Sequence, residues 1–253
     1  MPFTRTSALL RRWVGLCGEA VLPRSCPVCH APVSGDVESV WCETCGLAMV
    51  TATTQEYCTL CGRNTGPYER RDGRCGDCRD VTSPLAAVVR VGPHRQVLRR
   101  MILEFKFHRA PTDRLFGRLL AAVIEGAPWR NRIDALVPVP MHWRRRWTRG
   151  LHHTRAIARA CGSFLSLPVV EVLRRVRCDP PQVGLGKTQR ERNVRGAFAP
   201  VRGARLTGTT VCLIDDVMTT GATLRETART LHRAGVADVY AAVLSKSDST
   251  LSA

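Results

Sequence analysis

The chain has 253 residues, 44% of them hydrophobic and 23% charged, with 12 cysteines and a formal net charge of +17. That apolar fraction excludes a disordered chain, and no apolar run reaches the roughly 18 residues of a membrane span, so membrane insertion is not expected. The charge is uneven: +3 over residues 1–25, −3 over 26–80 and +17 over 81–253. The C-terminal part is therefore expected to favour phosphates, nucleotides or nucleic acid.

Residues 1–25 set Arg5, Arg11, Arg12 and Arg24 around Leu9, Leu10, Trp13, Val14 and Leu16, a short basic and apolar leader. It lacks a compact hydrophobic region followed by a small-residue cleavage site, so a soluble, cytoplasmic protein is expected. Residues 26–80 carry four C-x-x-C pairs, Cys26/Cys29, Cys42/Cys45, Cys58/Cys61 and Cys75/Cys78, separated by 12, 12 and 13 residues. Two thiolates two residues apart bind one face of a metal ion, and a second pair across a short hairpin completes the tetrahedron zinc prefers. The expectation is a double zinc-ribbon-like module with two closed, structural zinc ions. First pairs with second and third with fourth, a crossed arrangement remaining open. Disulfides suit secreted chains and explain the pairwise spacing less well. Cys17, Cys161, Cys178 and Cys212 fall outside the pattern and read as small apolar residues.

Residues 81–253 alternate strand and helix patterns. Leu85–Val91 reads as a strand, and 95–107 and 113–125 as helices, the second with Leu115, Leu119, Leu120 and Val123 at helical spacing. A strand at Ala135–Val139, a helix at about 150–165 and a strand at Val169–Val176 follow. A loop over about 179–196 leads to a strand at Thr210–Asp215, a helix at about 221–235 and a strand at Val239–Leu244. This alternation predicts an α/β fold with a mostly parallel sheet, whose ligands sit at the carboxyl ends of the strands.

One strand end is especially rich in chemistry. In Val211–Thr223 a buried strand delivers Asp215 and Asp216, then Val217, Met218, Thr219, Thr220, Gly221, Ala222 and Thr223 turn into a helix. Turn N–H groups and the helix dipole favour a phosphate, and two adjacent carboxylates can hold a ribose diol or hydrated magnesium. The segment resembles the thirteen-residue motif with which type I phosphoribosyltransferases bind phosphoribosyl pyrophosphate (PRPP). Over about residues 22–246, cysteines included, the chain resembles the ComF family: competence-associated proteins with a zinc-binding N-terminus and a phosphoribosyltransferase-like domain.

The resemblance implies that Asp215 and Asp216 meet the ribose hydroxyls and that Thr219–Thr223 enclose the 5′-phosphate. It identifies Val137–Pro140 and the basic segment after it as the pyrophosphate loop, with Pro140, Arg145, Arg149 and Gly150 at the matching positions. Guanidinium groups there can fork onto phosphate oxygens. Gln182–Phe198 is similar to the family's mobile loop, with Gln182, Leu185, Arg190 and Asn193 closing over ligand. Phe105-Lys106-Phe107 also matches, with Lys106 expected to be structural or on the rim. His152 departs from the usual Asn or Asp and stays unassigned, whereas His153 fits. The implied activity is displacement of pyrophosphate from PRPP with magnesium, for which Asp215, Asp216, Arg145 and Arg149 are the catalytic candidates. The acceptor is not legible. The alternatives are a PRPP sensor without turnover, or an accessory protein that binds single-stranded DNA or a DNA-uptake helicase.

Overall fold

A computed structural model of the chain describes residues 25–26, 28–33, 41–108, 112–141, 153–177, 187–204 and 206–247. The chain divides into two compact units, Met1–Thr51 and Ala52–Ala253. In the first, α1 (Glu43–Thr53) begins just after Cys42 and runs past the division. A helix here differs from the expected hairpin; Ala48, Met49 and Ala52 are good helix formers, and Glu43 suits the first turn.

The second unit opens with the hairpin β1 (Arg70–Arg71) and β2 (Arg74–Cys75) and a 3₁₀ turn over Gly76–Cys78. Its centre is a four-stranded sheet of β3 (Val88–Pro93), β4 (Ala135–Pro138), β7 (Thr210–Met218) and β8 (Asp238–Lys246), in the order β3-β8-β7-β4. All three pairings are parallel. Parallel strands need crossovers, and four helices supply them: α2 (Gln96–His108), α3 (Asp113–Glu125), α4 (His153–Leu165) and α6 (Ala222–Arg233). The expected α/β alternation is thus present. In β3, and in β8 after Asp238, every residue is buried, as a covered parallel sheet requires.

Three details differ from the pattern reading. The deepest residues of α3 are Phe116, Leu120 and Ile124, whereas Leu115, Leu119 and Val123 are half-buried, because the helix packs its Phe116 face inward. The strand expected at Val169–Val176 breaks in two. Val169 bridges Leu136 at the sheet edge, while β5 (Leu173–Arg175) pairs antiparallel with β6 (Phe198–Pro200). The expected loop at 179–196 contains the helix α5 (Lys187–Val194), a polar segment with little apolar periodicity to announce it.

Candidate functional site

The cysteines gather as two sets of four, Cys26, Cys29, Cys42, Cys45 and Cys58, Cys61, Cys75, Cys78, the sulfurs of each set lying within 4.8 Å of one another. This is the sequential pairing. Zinc–sulfur bonds of about 2.3 Å place tetrahedral thiolates about 3.8 Å apart. Cys29 and Cys42 are 3.5 Å apart, and Cys61 and Cys75 3.8 Å. Both sets therefore fit a four-thiolate zinc site with no open position.

Each set starts from the same knuckle. The amides of His30 and Gly62 donate to the carbonyls of Cys26 and Cys58 (2.9 and 2.8 Å), and those of Cys26 and Cys58 donate to Ala31 and Arg63 (2.8 and 2.9 Å). The fifth residue is left-handed in both, His30 at φ 60° and Gly62 at φ 70°. His30 is exposed and is spent on the turn. The Cys61 thiol, opposed by burial and aided by the amides of Cys61, Cys75 and Leu60, holds the Cys58 thiol down at about 4. Its sulfur accepts the Cys75 amide at 3.3 Å. Such a sulfur is a ready metal ligand. Of the remaining cysteines, Cys161 and Cys212 are buried, and burial raises both thiols, while Cys17 and Cys178 lie outside the described residues.

A second constellation lies where β3, β7 and β8 end. β7 continues to Met218, three residues beyond the expected stop, so Asp215 and Asp216 sit within its last turn of pleat, both half-buried. Asp216 Oδ2 pairs with Lys106 Nζ of α2 at 2.7 Å, with both side chains largely shielded. Burial, and then the neighbouring Asp216 charge, raise the Asp215 carboxyl to about 7, against the Asp216 amide, Lys106 and Arg175. The amide bond from Asp216 N to Asp215 Oδ1 is 2.9 Å.

His94 follows β3, its Nδ1 2.8 Å from Ser245 Oγ and its amide donating to the Lys246 carbonyl at 2.7 Å. Burial, then the positive charges of Lys106 and Arg99, lower its pKa, with Asp216 opposing. Lys106 and His94 are the residues that motif reading undervalued. Lys106 was visible only as part of a match, whereas His94 had just its position after a strand ending in Gly92-Pro93.

After β7 the chain turns through Thr219, Thr220 and Gly221 into α6. Gly221 has φ 75° and caps the helix, and a Cβ there would lie 2.6 Å from Met218 Cε. The left-handed geometry demands glycine, whereas the flexible end of Met218 could shift. No side chain caps α6; Thr220 Oγ1 accepts the Ala222 amide at 3.4 Å, and the Thr220 carbonyl accepts Arg225 Nη1 at 2.9 Å. Met218 and Ala222 are buried, so they offer main chain only, while Val217, Thr219, Thr220 and Thr223 are half-buried.

Val139 donates to the Ile214 carbonyl, which sets the buried Pro140 level with the aspartates. Thr154 Oγ1 bonds the Val139 carbonyl at 2.9 Å, tying the start of α4 to the same strand end. Arg145, Arg149, Gly150 and His152, and Gln182 and Leu185, lie outside the described residues. Arg190 and Asn193 belong to α5, Asn193 half-buried. His153 is buried edge-on to the Phe105 ring, with centroids 4.8 Å apart, and so belongs to the core.

Residues 156–252 match the family model described as phosphoribosyl transferase domain. The chain is 29% identical over 189 residues to Haemophilus influenzae competence protein F, covering 72% of this chain and 81% of that protein. It is also 29% identical over 226 residues to the Escherichia coli K12 DNA utilization protein YhgH, covering 86% and 95%. The chain is thus similar to both proteins over most of its length. Among solved structures, the glutamine PRPP amidotransferase of B. subtilis has a TM-score of 0.37 at 18% identity over 56% of this chain and 30% of that one, an overlap too partial to carry weight. No described helix of the chain is long and apolar enough to cross a membrane.

Proposed function

We propose that this protein belongs to the ComF family and binds PRPP at the carboxyl end of its parallel sheet. The reading rests above all on the Asp215–Asp216 pair delivered by β7 into a glycine-capped turn at the start of α6. In it, the two carboxylates accept the ribose hydroxyls, and Thr219–Thr223 offer amides and hydroxyls to the 5′-phosphate. Lys106 pairs with Asp216, while burial and the neighbouring Asp216 charge raise the Asp215 carboxyl to about 7. Pro140, Arg145, Arg149 and Gly150 take the pyrophosphate, and Gln182, Leu185, Arg190 and Asn193 close over the ligand. Magnesium fits the oxygen donors here; Asp215 and Asp216 would hold it together with ligand oxygens, and it would neutralise charge on the leaving pyrophosphate. Residues 26–80 serve as a double zinc-ribbon-like module and 81–253 as the phosphoribosyl domain.

Calorimetric titration of PRPP with magnesium into the zinc-loaded protein tests this reading. Micromolar binding is expected, abolished in Asp215→Ala/Asp216→Ala; absence of heat from the unaltered protein would sink the proposal. Pyrophosphate release on adding bases or amines would then mark a transferase, and binding without release a sensor. The relatives' names, competence and DNA utilization, together with the +17 charge of residues 81–253, favour a second reading in the cytoplasmic handling of incoming DNA, with single-stranded DNA or an uptake helicase as partner. Binding to DNA that falls steeply with salt would support it.

A further inference from the structure

From the turn beside the strand ends onward, α6 presents Arg225, Arg229 and Arg233 every fourth residue. A helix rises 1.5 Å per residue, so these guanidinium groups form a row with steps of about 6 Å. Arg192, near the end of α5, and Arg195, in the turn after it, line the other side of the same cavity, whose volume is about 460 Å³. Five guanidinium groups thus meet one carboxylate, that of Glu226.

Glu226 is already bonded. Its side chain is 3% exposed; Oε1 accepts the Gly196 amide at 2.8 Å and Oε2 accepts Arg229 Nη1 at 3.1 Å. It pins the turn after α5 to α6 and fixes the two basic sides against each other. Arg225 is held in place too, by its bond to the Thr220 carbonyl. Among the described residues, Arg192, Arg195 and Arg233 have no carboxylate partner. Like charges arranged around a concavity raise its potential and concentrate anions there.

The lining also says which anion. Guanidinium groups recognise phosphate by paired donors, and a row spanning three of them exceeds one phosphate group. Val194 and Ala222 are the apolar lining residues and neither is aromatic, so no ring is offered for a base to stack on, as single-strand binders provide. We propose that the Arg192–Arg195–Arg225–Arg229–Arg233 cavity is a second anion site, separate from the aspartate pair, that takes a linear inorganic oligophosphate.

The test is a titration of tripolyphosphate into the zinc-loaded full chain at physiological ionic strength. Micromolar binding is expected, weakened about 100-fold or more in Arg192→Ala/Arg195→Ala/Arg233→Ala, since each lost charge-assisted contact costs about tenfold or more. These three side chains are exposed, so the melting transition should persist. Should it not, Arg192→Glu alone is expected to weaken binding about tenfold. Ribose 5-phosphate, which would occupy the turn before α6, should not displace tripolyphosphate. The proposal is overturned by absence of binding, by unchanged affinity in the arginine variants, or by displacement by ribose 5-phosphate, which would place the anion in the turn before α6. Displacement of tripolyphosphate by a short oligothymidylate at equal phosphate concentration would also overturn it, since the cavity would then be a nucleic-acid groove.

Discussion

The same two backbone hydrogen bonds close the knuckle at Cys26–Ala31 and the knuckle at Cys58–Arg63, and the flanking residues pair alike, Ser25 with Pro32 and Tyr57 with Asn64. In the second, the Tyr57 ring lies 4.8 Å from the Arg90 guanidinium, and Asn64 accepts a hydrogen bond from the same group. Arg90 is 2% exposed in β3, and the neighbouring Val88 amide donates to the Thr59 carbonyl at 2.6 Å. Ser25 has no ring and Pro32 no side-chain acceptor, so the first knuckle lacks the parts of this clamp. Cys58, Leu60, Cys75 and Cys78 share a hydrophobic cluster with Leu85, Val88, Leu213 and Val243 of the sheet unit. Equal spacing therefore does not imply equal duty: one cysteine set is built into the core of the larger unit, and the division between units falls at Thr51, between the two sets. Sequence alone places the module edge near residue 80, because the cysteine pattern stops there; the apolar contact of Leu60 and Cys58 with the sheet is invisible to spacing.

The largest expected effect separates the two sets directly. Cys58→Ser/Cys61→Ser should cost about 5 kcal/mol or more and abolish cooperative melting of the sheet unit, because it removes a metal and leaves polar groups in a core. Cys26→Ser/Cys29→Ser should shift that same transition by less than about 1 kcal/mol. Trp129, stacked on Tyr240 with centroids 4.4 Å apart, provides the fluorescence signal. Equal shifts would erase the distinction.

Next, Leu85→Ala should destabilise the sheet unit by about 2–4 kcal/mol, and Arg90→Ala, which leaves Tyr57 and Asn64 unsupported, by about 2–3 kcal/mol. Urea titrations read both, and zinc release to a chelator should quicken in each from the second set only.

The last effect is a pH dependence. The folded Asp215 carboxyl is raised to about 7 from an ordinary 3.8, so the folded state binds the extra proton between those values. Its contribution is nil below the lower value, becomes a penalty that grows as pH rises between the two, and is complete above the upper one. Asp215→Asn should therefore raise stability by up to about 4 kcal/mol at pH 8, with the gain vanishing towards pH 4. A gain independent of pH would mean that the carboxylate is not held against its charge.

Local chemistry made much of this legible. The cysteine spacing, the alternation of strand and helix, and the Asp215–Thr223 segment each follow from neighbours in the chain: thiolates reach one ion, apolar periods select the element, and a glycine permits the turn. The helix α5 escaped because its side chains are polar all round, and the buried face of α3 was misread because Leu115, Leu119 and Phe116 lie on overlapping faces that only packing separates. The pairing of Lys106 with Asp216 joins residues on two elements far apart in the chain, and so do the gathering of five arginines from α5 and α6 and the clamp of Arg90 on the second knuckle. Sequence by itself determined which ligands and charges the chain carries and how short segments fold. Tertiary structure alone decided which of them meet and which cysteine set joins the core of the sheet unit, because those outcomes depend on burial and distance between segments that no local pattern encodes.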